Sequence, residues 1–248
     1  MDDKPAVRIL SALLVVALAG CSAAPTERHL VVFAAASLRG AFTDLAAAFT
    51  DVDPGSAVEL STAGSATLLS QLTQGAAADV LATADTPTMD RAARAGLLAG
   101  PPVPFASNVL TIAVAPGNPK SIESIRDLDE ASLVVCAVQV PCGSSLPRLR
   151  DETGVRLDPV SEESSVTDVL NKVTSGQADA GLVYLTDARA AGDRVTAVPL
   201  PEAAGMPNIY RIAVLKDSDD AVLASRFVDF VTAPAGRRIL TSAGFGDP

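Results

Sequence analysis

From His29 onward, short apolar runs alternate with amphipathic stretches, and that alternation predicts strands and helices in turn. The run Leu30-Val31-Val32-Phe33-Ala34 ends in a small-residue turn. Residues 38–49 then place Leu38, Phe42, Leu45, Ala46 and Phe49 at helical spacing. Further strands are expected at 58–60, 78–83, 109–115, 133–140, 180–184 and 210–215. Helices are expected at 67–72, 89–98, 166–175, 221–231 and 236–242. Such alternation predicts an α/β protein with mostly parallel sheets. Pro-rich breaks at 100–104 and 199–207 isolate a middle block of roughly 100 residues. The simplest arrangement is two α/β lobes joined by two hinge crossovers, the first lobe completed by the C-terminal segment. Its boundaries would be 29–106 plus 206–248 for lobe I and 107–205 for lobe II. A single larger doubly wound domain also fits the pattern.

The pattern before His29 differs. Lys4 and Arg8 precede a nearly unbroken apolar run, residues 9–19. That is too short for a membrane-spanning helix, which needs roughly 20 residues, and it suits the core of a secretory signal. Leu18-Ala19-Gly20-Cys21 resembles a bacterial lipobox, in which Cys21 is acylated and becomes the new N-terminus. The expectation is a lipoprotein signal peptide over 1–20, a small polar tether over 21–28, and an exported chain lipid-anchored to the outer face of the cell membrane. The bland alternative is an ordinary core cysteine in a buried helix.

Composition then removes whole classes. The chain has 248 residues, 48% of them hydrophobic, enough for a packed core. Nineteen basic against 29 acidic residues give a net charge of −10, which argues against a nucleic-acid partner. One histidine excludes any multi-His metal site and leaves His29 as the only imidazole. A serine hydrolase built on Ser144 or Ser145 would need that distant His29, and no G-x-S-x-G elbow exists. The chain therefore reads as a non-enzyme. The acidic run Asp217-Ser218-Asp219-Asp220 reads as a solvated turn before a helix.

Candidate chemistry lies in four small, hydroxyl- or glycine-rich turns at helix starts. They are Ala34-Ala35-Ala36-Ser37, Ala63-Gly64-Ser65-Ala66-Thr67, Pro141-Cys142-Gly143-Ser144-Ser145 and Ser164-Ser165-Val166-Thr167. Each leaves free N–H groups at a helix N-terminus, and each taken singly is an ordinary cap. Four such turns without Lys or Arg at their tips suggest an anion site made of neutral dipoles. In an acidic protein, affinity must then come from local, desolvated donors and not from long-range attraction.

The run Val32-Phe33-Ala34-Ala35-Ala36-Ser37-Leu38 resembles the opening of the molybdate-binding proteins of bacterial ABC transporters. The similarity continues through Ala63-Gly64-Ser65-Ala66-Thr67-Leu68, Gly75-Ala76-Ala77-Ala78-Asp79-Val80, Val140-Pro141-Cys142-Gly143 and Gly181-Leu182-Val183-Tyr184-Leu185-Thr186-Asp187-Ala188. It spans essentially the whole chain after the leader, and it implies a type II periplasmic-binding fold closing on molybdate or tungstate. Position by position, it implies that Ser37 and Ser65 offer hydroxyl and N–H, Cys142 and Val166 offer N–H, and Tyr184 offers its phenol. Cys142 stands where the family pattern has a small residue such as Ala, which a backbone contact tolerates. The resemblance also implies a membrane permease as partner, no cofactor, no directly ligated metal (molybdenum being held through its oxo groups) and a monomer. A donor-only set suits a fully deprotonated dianion better than phosphate, whose proton needs an acceptor. A binding protein for another oxyanion such as sulfate or phosphate is the alternative. A transcription-regulator effector domain shares this scaffold, but it would need a basic DNA-binding segment in place of an export signal.

With Cys21 committed to lipid, Cys136 and Cys142 form an even pair in an oxidising compartment. Fully extended, their spacing holds them roughly 20 Å apart, against a disulfide limit of about 7 Å. A bridge therefore requires the chain to double back between Val138 and Pro141. Two separate buried thiols are the alternative.

Overall fold

The computed structural model describes residues 28–248, so the expected signal peptide and Cys21 lie outside the described residues. Of the proposed tether only Arg28 is described. It begins the first strand and binds Asp53.

The chain opens with β1 (Arg28–Ala35), α1 (Arg39–Val52), β2 (Ser56–Ala63), α2 (Ser65–Thr73), β3 (Val80–Thr83), α3 (Thr86–Arg94) and β4 (Val103–Asn108). It then crosses into β5 (Leu110–Val114), β6 (Leu133–Cys136), α4 (Leu146–Thr153), β7 (Ser161–Glu163), α5 (Val166–Thr174), β8 (Ala180–Tyr184), α6 (Leu185–Ala191) and β9 (Thr196–Val198). It returns through β10 (Asn208–Val214), α7 (Ala221–Thr232) and α8 (Pro234–Ser242). Two five-stranded sheets result, ordered β2-β1-β3-β10-β4 and β7-β6-β8-β5-β9.

The α/β class and two-sheet architecture match the pattern of the sequence; the strand directions are more mixed than expected. β1 pairs in parallel with β2 and β3, but β10 pairs antiparallel with β3 and β4. The second sheet repeats the scheme: β6 is parallel to β7 and β8, while β5 is antiparallel to β8 and β9. The antiparallel strands are those that carry the chain between sheets. Apolar runs buried on both faces read alike in either direction, so hydropathy alone does not distinguish them.

The first sheet is covered on both sides. Along β1, Leu30, Val32 and Ala34 face a core shared with Phe42, Phe49, Phe105 and Phe227, while Phe33 faces Leu68, Leu72, Leu81 and Met89. Edge-on ring pairs such as Phe49–Phe227, 5.2 Å between centroids, add geometric preference to that burial. α1 joins this core through Phe42, Leu45 and Phe49, the helical spacing seen in the sequence. β6 is shorter than the expected 133–140. After Cys136 the chain turns, with the Val140 N–H donating to Ala137 O at 3.0 Å, and Cys142 returns to bridge Cys136 across a Cα separation of 5.5 Å. Gly143 makes the turn possible: a Cβ there would lie 2.1 Å from Ala137 O.

Candidate anion-binding site

Ligands of open α/β sheets gather beyond the carboxyl ends of strands, and both sheets here present such ends to one point. A cavity of about 20 Å³ is lined by Ala35, Ala36 and Ser37 after β1, by Gly64 and Ser65 after β2, and by Ala84 after β3. The second sheet adds Pro141 and Cys142 after β6, Ser164, Ser165 and Val166 after β7, and Tyr184 ending β8. All five residues singled out as anion ligands thus line one space. That volume holds about one small ion, far below the roughly 300–1,000 Å³ typical of larger organic ligands.

The lining contains no charged side chain. Glu162 and Glu163, just before Ser164, and Asp85, just after Ala84, are not among the lining residues. Hydrogen bonds from Lys172 and Ser161 hold the Glu163 carboxyl below its usual range and away from the cavity. What remains is a set of donors. α2 begins at Ser65 and α5 at Val166, so their first N–H groups have no carbonyl within their own helix. The Ser165 hydroxyl caps α5, accepting the Asp168 N–H and donating to its carboxylate at 2.7 Å, so the backbone is what that turn can offer a ligand.

Ser65 is 1% exposed, and its Oγ accepts the Ala84 N–H at 3.1 Å. Its own proton is therefore free to donate. Ser37 Oγ meets Tyr210 Oη at 2.9 Å. Tyr184 is 1% exposed, and its Oη makes no hydrogen bond of ordinary geometry among the described residues, with the Tyr210 phenol beside it. Burial holds its phenol well above the ordinary value, so it stays a protonated donor. An unpaired buried hydroxyl costs about 1–3 kcal/mol, which a bound oxygen would relieve. Behind it, Asp187 keeps one carboxylate oxygen buried and unpaired, and burial pushes its pKa up to about 7.

Two contributors lay outside the sequence reading: the Ala84 N–H, and the pair Tyr210 and Asn108 behind Ser37. Gly64 carried a usable signal, since its backbone (φ −56°, ψ 137°) suits any residue and only space demands glycine. The acidic run resolves as structure. Ser218 and Asp219 bind Asp79, and Asp220 caps α7. No cluster of potential metal ligands occurs among the described residues.

The profile of the bacterial extracellular solute-binding proteins matches residues 30–246. A molybdate-binding protein ModA of Mycobacterium tuberculosis is 54% identical over 97% of both chains, and one from Haemophilus influenzae is 28% identical over 98% of both. Among solved structures, the periplasmic molybdate-binding protein of Azotobacter vinelandii superposes with a TM-score of 0.75 at 22% identity, covering 88% of this chain and 99% of that one. The sulfate-binding protein SubI of M. tuberculosis superposes at 0.70 with 23% identity, covering 88% and 86%. At those identities the structures speak for the fold alone.

Proposed function

The chain belongs to the bacterial extracellular solute-binding protein family, and from that premise we propose that it captures molybdate, and also tungstate, between its lobes. It then delivers the anion to an ABC permease in the membrane. The observation that carries the reading is the cavity itself: small, uncharged and lined by donors from both lobes, beside 54% identity to a molybdate-binding relative. A fully deprotonated dianion accepts on every oxygen, so it leaves none of these donors facing another donor. Ser37, Ser65 and Tyr184 supply hydroxyls, and Ser37, Ser65, Cys142 and Val166 supply N–H groups. Closure of lobe I (29–106 plus 206–248) on lobe II (107–205) removes water, and each charge-assisted hydrogen bond then gains strength.

The reading extends to a monomer, tethered through acylated Cys21, that works outside the membrane. Among the described residues no helix is long and apolar enough to cross a membrane. Changing Cys21 to Ser should move the protein from the membrane to the soluble fraction; unchanged fractionation removes the anchor from the proposal.

Calorimetry with molybdate, tungstate, sulfate and phosphate in turn tests the capture step. Molybdate and tungstate should bind and phosphate should not. Ser37→Ala and Ser65→Ala should each weaken molybdate binding by about 1.5–3 kcal/mol, the range for a hydrogen bond to a charged group. Parent-like binding by both variants refutes the site.

A further inference from the structure

Ser37 is useful to an anion only if its hydroxyl proton points at the ligand, and a serine hydroxyl turns freely between donating and accepting. Four contacts decide its direction. Asn108 ends β4 at the crossing between sheets, and its Oδ1 accepts the Val109 N–H at 3.0 Å. That orients the amide, so Nδ2 faces Thr186 Oγ1 at 2.7 Å and Tyr210 Oη at 3.4 Å. An amide nitrogen only donates, so Tyr210 Oη is the acceptor there. The Tyr210 proton is then available for the remaining contact, Ser37 Oγ at 2.9 Å.

We propose that Tyr210 is a positioning and specificity-determining residue, which with Asn108 holds the Ser37 hydroxyl as an obligate donor toward the bound oxyanion. The order of donation runs from Asn108 through Tyr210 to Ser37, and its last free proton lies at the cavity. Ser65 is set the same way by a simpler device, the Ala84 N–H. A ligand oxygen carrying a proton would meet a second donor at either serine. The relay thus discriminates against hydrogen phosphate by proton direction, in addition to cavity size. Tyr210 is fully buried between Phe105, Tyr184 and Phe245, at ring distances of 5.4–6.2 Å, so the phenol has no freedom to swing away.

The inference rests on the proposed capture of a deprotonated oxyanion, and the experiment separates the two. Molybdate and phosphate are titrated into the parent, Tyr210→Phe, Ser37→Ala and the double variant, with thermal unfolding recorded for each. Tyr210→Phe should weaken molybdate about tenfold, the factor that 1.4 kcal/mol represents. It should narrow the molybdate-to-phosphate ratio, and in the Ser37→Ala background it should change molybdate affinity by no more than about twofold. An equal loss in both backgrounds, or an unchanged ratio, overturns the relay while leaving capture intact. A parent that ignores molybdate overturns both. Asn108→Asp is the second route, needed if Tyr210→Phe does not fold. A carboxylate there accepts the Tyr210 proton and reverses the order, so the same narrowing is expected, and an unchanged ratio again refutes the relay.

Discussion

Gly64 lies against the main chain of Ser164 at the cavity wall, and on the proposed two-lobe reading adding one methyl group there should separate folding from closure. A Cβ on Gly64 would lie 2.5 Å from Ser164 O, 3.4 Å from Ser164 C and 3.5 Å from Ser165 Cβ. Relieving the first contact to an ordinary 3.4 Å requires a displacement of about 0.9 Å between main-chain segments of different lobes. No flexible side-chain tip is available to yield. Overpacking of that kind costs about 1–3 kcal/mol, which corresponds to a 5–150-fold loss of affinity. If the lobes open as proposed, the two segments part, so the cost falls on the closed, liganded form alone. Two local effects on the fold oppose each other: alanine caps a helix less well than glycine, and it lowers the entropy of the unfolded chain. The ligand-free melting temperature of Gly64→Ala should therefore stay within about 2–4 °C of the parent, the shift equivalent to 1 kcal/mol at this size. Calorimetry with molybdate and ligand-free thermal unfolding read the two quantities apart. Parent-like affinity would refute lobe closure at Gly64; a large loss of ligand-free stability would place the strain in the fold and not in closure.

Two further outcomes follow from the structure. The Cys136–Cys142 bridge closes a loop of six-residue separation, for which the chain-entropy relation gives about 2 kcal/mol. Replacing both cysteines with serine should lower the melting temperature by about 4–8 °C, and unfolded, unreduced protein lacking Cys21 should show no free thiol; two free thiols would refute the bridge. Asp187 is protonated more readily folded than unfolded, its pKa rising from 3.8 to about 7 on burial. The folded state therefore holds a proton that the unfolded state has lost between those values, and stability falls as pH rises through them. Asp187→Asn should flatten that fall and stabilise the protein at pH 8 relative to pH 4. A pH–stability curve parallel to the parent's would refute the assignment.

Much of the fold was legible because the sequence obeys simple periods. α1 and α7 show buried positions at helical spacing, and β1, β3, β6 and β8 are runs buried on both faces. The elements that escaped are short or weakly patterned, α6 and β9 among them, and three show why. β7 is Ser161-Glu162-Glu163 at a sheet edge, where polar residues guard the unpaired side. α4 is eight residues with Pro at its start and two arginines among them. β4 begins at Val103 inside a Pro-rich stretch that reads as a break, yet it sits at the sheet edge, where a proline's missing N–H costs nothing.

The site divides along a similar line. Residues that would touch the ligand sit in short, unusual turns and could be read one by one; the groups that orient them come from remote strands. Ser37 and Tyr210 are 173 positions apart, and Ser65 and Ala84 are 19 apart. No local pattern links such pairs, because strand order does so: β10 enters the first sheet beside β3, bringing Tyr210 within reach of Ser37. The same arrangement answers how a chain of charge −10 could hold a dianion. Fixed charges act over roughly a Debye length, about 8 Å at physiological ionic strength, and a lysine in the cavity would attract chloride and phosphate as readily as molybdate. Oriented neutral donors act only at contact, and only on an oxygen that accepts. Orienting Ser37 and Ser65 from behind turns the fold's long-range contacts to proton direction, and on the proposed reading it is direction, more than net charge, that would choose the anion.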